Sequence, residues 1–145
     1  MNLPEYVSVE EVKRVCRELN ISDWTELEDA KVSSDEARVI LSEVNVEKMD
    51  IELDEFRNGL EVELEHGTRF KEANVTNNHP ILTGKIVLAH LKESLYYYKL
   101  LEVAELEGDL FKAIQTDQHP KVKTIYTRLL NAKMVLNQAE MGRLD

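Results

Sequence analysis

Apolar residues recur at steps of three and four along most of this chain, which is the spacing of one face of an α-helix. Between residues 122 and 139 the two steps alternate, as they do in the seam of a helical bundle. This seam consists of Val122, Ile125, Leu129, Ala132, Leu136 and Ala139. Only five glycines and three prolines interrupt the 145 residues, and no segment has the alternation of a strand. The pattern predicts an all-α fold, an antiparallel helical bundle of about five to six helices.

Capping residues mark where the predicted helices begin. Ser8 followed by Glu11 is the pattern of a capping box and predicts a first helix over residues 9–19. A short second helix, capped by Ser22 or Asp23, is predicted through Trp24, Leu27 and Ala30. Ser33 or Ser34 is the expected cap of a third helix that carries apolar residues as far as position 44.

Glycine and proline mark the later boundaries. A fourth helix is predicted from about residue 54 to Gly67, because glycine is favoured just after a helix end. Pro80 suits the first position of a long fifth helix, with one break predicted near Ser94 and a second near Gly108. Pro120 is expected to open the last helix, which contains the seam.

Composition excludes several classes of protein. The net charge of −10 and the pI of about 4.9 disfavour binding to a phosphate backbone, so no nucleic-acid partner is expected. The single cysteine, Cys16, cannot form a disulfide framework. No apolar run approaches the roughly 20 residues of a membrane span, so no membrane association is expected. The first residues lack the pattern of a signal peptide, which predicts a cytoplasmic protein.

The fourth helix places ionisable residues beside its apolar stripe. The stripe consists of Leu53, Phe56, Leu60 and Leu64. At about 100° per residue, Glu63 falls within about 20° of Phe56, and His66 follows one turn later on the flank of the stripe. Glu61 and Glu65 point nearly the opposite way and are predicted to be solvated.

The fifth helix repeats this pairing in the reverse order. Its predicted stripe consists of Ile86, Ala89, Tyr97, Leu100, Leu101 and Ala104. His90 and Glu93 fall inside that stripe, again three residues apart. Burying ionisable groups is costly unless they are paired, hydrogen-bonded or bound to a metal. The two His–Glu pairs are therefore expected to share one interior site.

Two interpretations of this site remain open. It can be a hydrogen-bonded network that supports the fold or positions a substrate, and a His–Glu pair can also serve in acid–base catalysis. It can instead be a metal site, in which Glu63, His66, His90 and Glu93 would bind a divalent metal such as zinc, iron or manganese. No residue pattern identifies a nucleophile, so the sequence leaves open whether the protein is an enzyme.

Three further residues lie near the start of the fifth helix. Thr83 and Lys85 flank a glycine there and could offer hydrogen-bond donors to an anion. His79 directly precedes Pro80, and two interpretations are open: it faces the same region as the two His–Glu pairs, or it is a loop or N-cap residue.

Part of the chain resembles a known family of helical domains. The resemblance rests on the string FRNGLEVELEHG at residues 56–67, NVT at 74–76, TGKIVLAHLKE at 83–93 and the tyrosines at 96–98. These strings are similar to an uncharacterised domain family of bacteria, archaea and some viruses. The resemblance implies a shared site around Glu63, His66, Thr83, Lys85, His90 and Glu93, but no chemistry. The family tends to carry acidic residues where this chain has Asn77, Asn78 and His79, and a proline near Ser94.

The predicted organisation is one helical domain over residues 1–145, with a family-like core at 54–107 and a C-terminal extension at 108–145 that contains the final packing helix. The leading hypothesis is a helical-bundle protein with a polar site between the fourth and fifth helices. The alternatives are a metal-binding protein or metal-dependent enzyme, and an interaction module that forms a homodimer through the C-terminal helix. An excess of exposed apolar surface on that helix would favour the homodimer.

Overall fold

A computed structural model describes residues 6–144. The regular secondary structure of these residues is entirely helical, which confirms the predicted all-α fold class. The described residues form α1 (Val9–Leu19), α2 (Ser34–Val44), α3 (Leu53–Arg69), α4 (Pro80–Glu93), α5 (Tyr97–Gln115) and α6 (His119–Met141). Two compact units divide the chain, Met1–Glu93 and Ser94–Asp145. None of the helices formed by residues 6–144 is long and apolar enough to cross a bilayer.

Side-chain caps begin the first two helices, although the capping box predicted at Ser8 and Glu11 is only half formed. The Ser8 hydroxyl accepts a hydrogen bond from the Glu11 amide at 3.2 Å, while the Glu11 carboxylate binds the Arg14 guanidinium. A complete capping box is present at Ser33 and Glu36. Burial would raise the pKa of Glu36, but hydrogen bonds from Ser22 and Ser33 outweigh it and lower the pKa to about 2. This ionised carboxylate therefore ties the preceding loop to the start of α2.

Three predicted boundaries are wrong. The second helix is only a 3₁₀ turn, Trp24–Glu26, which is capped by Asp23. Gly67 does not end α3, because the helical bonding continues to the Phe70 amide, which donates to the His66 carbonyl at 2.9 Å. Gly108 lies inside α5 without a break, and its open surroundings place no steric demand on the backbone.

The break predicted near Ser94 is present, and it changes which residues of α4 are buried. The Ser94 hydroxyl accepts from the Tyr96 amide at 3.2 Å, and α5 begins at the next residue. The predicted apolar stripe was counted across residues 94–96 as though α4 and α5 were one continuous helix. In the structure Ile86, Ala89 and Glu93 are exposed. The buried residues of α4 are Pro80, Thr83, Gly84, Val87, Leu88 and Leu91.

The first unit packs α2, α3 and α4 against one another. Trp24, Ile40, Phe56 and Leu60 are among the fully buried side chains at its centre. Gly84 permits a close helix contact, because a Cβ atom there would lie 2.7 Å from Cγ2 of Ile40. α4 can therefore approach α2 more closely at this point than a side chain would permit.

The second unit is a helical hairpin formed by α5 and α6. The helices are antiparallel, since Glu107 pairs with Lys133 at 2.7 Å and Arg143 lies over the ring of Tyr96 at the other end. Asp117, at φ 53°, turns the chain between them. The hairpin core contains Val103, Leu106, Leu110, Ile125, Leu129 and Ala132.

Two glycine substitutions with opposite expected effects test this packing. Gly84→Ala should destabilise the protein, because overpacking costs about 1–3 kcal/mol and exceeds the gain in helix propensity. Gly108→Ala should stabilise it by about 0.5–1 kcal/mol, because the added methyl group meets no atom within 4 Å. Denaturant unfolding of the two variants and the unmodified chain measures both effects. Equal effects of the two substitutions would contradict the close contact at Gly84.

Candidate functional site

Glu63 lies between two imidazoles at the junction of α3 and α4. Its Oε1 atom lies 3.5 Å from Nε2 of His90, and its Oε2 atom lies 4.0 Å from Nδ1 of His66. The side chains of Glu63 and His90 are 15% and 29% exposed, whereas that of His66 is 70% exposed. The carboxylate is thus largely enclosed, and the His66 imidazole is largely exposed to solvent.

Two different levels of structure create this arrangement. Glu63 and His66 are neighbours because residues three apart in a helix lie on adjacent turns of one face. His90 arrives from α4 because that helix packs against α3. The region shared by the two helices therefore contains Glu63 and His66 from α3 and His90 from α4.

Two of the other three predicted site residues, Glu93 and Lys85, lie elsewhere. Glu93 is exposed at the last position of α4. Lys85 is also exposed and lines a different cleft of about 280 Å³ beside Val44 and Leu88. Thr83 is buried and lines a cleft beside Glu63, and its hydroxyl donates to the His79 carbonyl at 3.0 Å. Its hydroxyl proton is therefore already used.

The predicted metal site gains no support from this geometry. Across residues 6–144 no group of three or more His, Cys, Asp and Glu side chains is arranged to hold a metal ion. The Glu63 carboxylate presents a separate oxygen to each imidazole. With Glu93 exposed, the binding of zinc, iron or manganese stays a prediction.

A cleft of about 130 Å³ opens beside Glu63. Its walls include the apolar side chains of Leu64, Val75 and Ile86, and its polar lining includes Glu63, Asn78 and Thr83. Val75 is 81% exposed and Ile86 40% exposed, so both stand at the rim. The cleft combines a carboxylate with a partly apolar wall.

Asparagines hold the loop that closes this cleft. Asn74 accepts a hydrogen bond from the Asn78 amide at 3.2 Å, and the Asn78 side chain donates to the Trp24 carbonyl at 3.2 Å. Asn77 and Asn78 both have positive φ angles, which asparagine tolerates better than most residues. A Cβ atom on Gly67 would lie 2.1 Å from Oδ1 of Asn78, so the loop needs this glycine. The asparagines were predicted only as turn formers, and their contact with Gly67 is tertiary.

His79 is the N-cap of α4, as one interpretation of the sequence predicts. Its Nδ1 atom accepts from the amides of Ile81 and Leu82 at 3.2 and 3.4 Å. Burial lowers the pKa of His79 below its ordinary value, against the opposing effect of the Glu11 carboxylate. The neutral imidazole is required here because a protonated Nδ1 could not accept these bonds.

The α6 seam predicted as a dimer surface packs within the chain. Leu129, Ala132 and Leu136 are buried, and the hairpin core joins the seam to α5. The hairpin instead exposes a second set of large apolar side chains. Only Leu100 among them was named in the sequence analysis, where it was wrongly placed in the inward stripe. We call this set the exposed face. It consists of Leu100, Phe111, Ile114, Tyr126, Leu130, Met134 and Met141.

The His79 cap predicts a loss of stability in acid. Below the ordinary pKa of histidine the unfolded chain takes up a proton that the folded chain resists, so the free energy of unfolding should fall as pH drops through about 6.5. His79→Asn retains a capping oxygen and should reduce this pH dependence. Denaturant unfolding between pH 5 and 8 measures it, with His119→Asn, on an exposed histidine, as the control. Equal slopes for both variants would contradict the role of His79.

Comparison with known proteins identifies the family of the chain. No curated protein and no solved structure matches it significantly. A family model described as "Protein of unknown function (DUF5661)" matches residues 12–107, which contain most of α1, all of α2 to α4, the Glu63 cleft and part of α5. The resemblance to an uncharacterised helical domain family is thereby confirmed, and the chain belongs to the DUF5661 family.

Proposed function

We propose that the protein is an interaction module that self-associates through the exposed face of the α5–α6 hairpin. The observation that carries this proposal is the row of large apolar side chains along α6. Tyr126, Leu130 and Met134 follow one another at steps of four residues and are 50%, 51% and 53% exposed. Contiguous apolar surface of this kind is typical of protein–protein contacts.

The apolar residues of the two helices lie on the same side of the hairpin. At about 100° per residue, the exposed apolar residues of each helix lie roughly a third of a turn from the residues that the same helix contributes to the hairpin core. The rotation has the same sense in α5 and α6. In antiparallel helices this offset directs both sets to one side. The Glu107–Lys133 ion pair joins the helices on that side. The exposed face is therefore one surface that spans both helices.

Charge complementarity favours a second copy of the chain as the partner. α5 carries four acidic and two basic side chains, whereas α6 carries four basic and one acidic. A two-fold axis parallel to the helices would place α5 of each copy over α6 of the other. Each acidic helix would then face a basic one, and the four helices would form an antiparallel bundle.

A hairpin of two helices also has a physical reason to associate. Each helix can bury only the stripe that faces its neighbour, and any further apolar stripe stays in water. Burial of that surface contributes about 25 cal/mol per Å². Pairing of two hairpins removes the exposed face from water on both copies at once.

Sedimentation velocity on the full chain at about 100 μM tests the proposal, which predicts a dimer. Leu130→Glu should raise the dissociation constant at least about 100-fold, because the dimer would have to bury an unpaired carboxylate. Val135→Glu is the matched control, since Val135 is also an apolar residue of α6, 46% exposed, but points away from the exposed face. It should leave the dimer intact.

Two outcomes would contradict self-association. One is a monomeric unmodified chain at this concentration. The other is equal loss of the dimer in both glutamate variants, since that would mean that the exposed face is not the surface involved. Circular dichroism of each variant verifies that the helices are retained.

A further inference from the structure

The cleft beside Glu63 is lined by a carboxylate and other polar groups. Neither the family match nor the self-association proposal assigns these groups a role. The cleft lies within the first unit, between the end of α3, the loop of asparagines and the start of α4. Its volume of about 130 Å³ corresponds to the space of about four water molecules. Such a volume suits a ligand of a few heavy atoms.

Three of the six polar side chains that line the cleft, Glu63, Asn78 and Thr83, present hydrogen-bond acceptors, and the other three are His66, Asn74 and Thr76. The carboxylate of Glu63 accepts only, and the Thr83 hydroxyl already donates its proton to the His79 carbonyl. The Asn78 side chain uses its amide group on the Trp24 carbonyl, so its oxygen is what it offers on the side of Gly67. A ligand that binds at these three acceptors must donate hydrogen bonds.

The charge around the cleft selects a cation. Among the described residues that line it there is one carboxylate and one imidazole, and no lysine or arginine. The Glu63 side chain is only 15% exposed, so its charge is screened less than that of a solvated carboxylate. The net charge of the chain, −10, adds to the attraction for a positive ligand.

The rim of the cleft is apolar. Val75 and Ile86 are both exposed, and Leu64 forms part of the wall. A ligand with a short hydrocarbon body could cover these side chains while its charged end reaches Glu63. A cation with a short alkyl chain matches this combination of a carboxylate and an apolar rim.

We infer that the cleft binds a small organic ammonium ion, with its charged nitrogen at Glu63 and its alkyl chain against Val75 and Ile86. The imidazoles of His66 and His90 lie beside the carboxylate, at 4.0 and 3.5 Å from its two oxygens. Glu63 is the binding residue.

Titration of the full chain with butylammonium, followed by NMR of the backbone amides, tests this inference. Butan-1-ol is the matched neutral probe, because it has the same chain length but no charge. Butylammonium should cause saturable shifts around Glu63, His66 and Val75 and bind at least about tenfold more tightly than butanol, since a charge-assisted hydrogen bond favours it. Absence of saturable shifts, or equal affinity for the two probes, would overturn the inference.

Variants locate the binding. Glu63→Gln should weaken butylammonium binding at least about tenfold, whereas Glu65→Gln, which alters an exposed carboxylate of the same helix, should leave it within about twofold. Ile86→Lys provides a second variant at an exposed rim position, should Glu63→Gln not fold, and its added charge should also weaken binding. Unchanged affinity in a folded Glu63 or Ile86 variant would place the ammonium ion elsewhere and overturn the inference.

Discussion

The close approach of α4 to α2 at Gly84 determines the arrangement of the first unit. A Cβ atom at this position would lie 2.7 Å from Ile40 and 3.3 Å from Val44, so only glycine lets the helices meet here. The same helix packs against α3 and carries His90 to within 3.5 Å of Glu63. The position of the imidazole opposite the carboxylate therefore depends on a contact between backbone and side chain six residues earlier in α4.

The loop of asparagines fixes the other end of α4. Asn77 donates to the Val7 carbonyl at 2.6 Å, and Asn78 donates to the Trp24 carbonyl, so the loop joins segments that are distant in sequence. The next residue, His79, caps the helix. The asparagine side chains of this loop thus stabilise the fold through their hydrogen bonds. The carboxylate that lines the cleft is that of Glu63.

The second unit presents a different physical problem. Two helices bury one stripe each, and the hairpin core satisfies that requirement with Leu106, Leu129 and their neighbours. Large apolar residues of both helices remain exposed on one side of the hairpin. One of these helices, α5, is acidic, and the other, α6, is basic. The proposal of self-association follows from this surplus of exposed apolar surface, whereas the ammonium site follows from the first unit alone, so either can fail without the other.

Local sequence determined much of the fold. Helical spacing and capping serines gave the correct bounds of α1 and α2, and Pro80 marked the start of α4, because these signals act within a few residues. Glu63 and His66 were identified as neighbours for the same reason, since their distance depends on one helix only.

Tertiary structure decided which faces are buried and which residues meet. Glu61 was predicted to be solvated, but its carboxylate accepts a hydrogen bond from the Val32 amide at 3.1 Å. The two residues are far apart in the sequence, so helical spacing could not predict this contact. The three residues between α4 and α5 shift the helical phase, so Glu93 is exposed although continuous counting placed it inside. The seam of α6 was recognised from its spacing, but that spacing could not show whether α5 or a second chain covers it. The sequence by itself determined the helices and their starts through short-range hydrogen bonds and spacing, and only the packing of one helix on another decided the partners of each face.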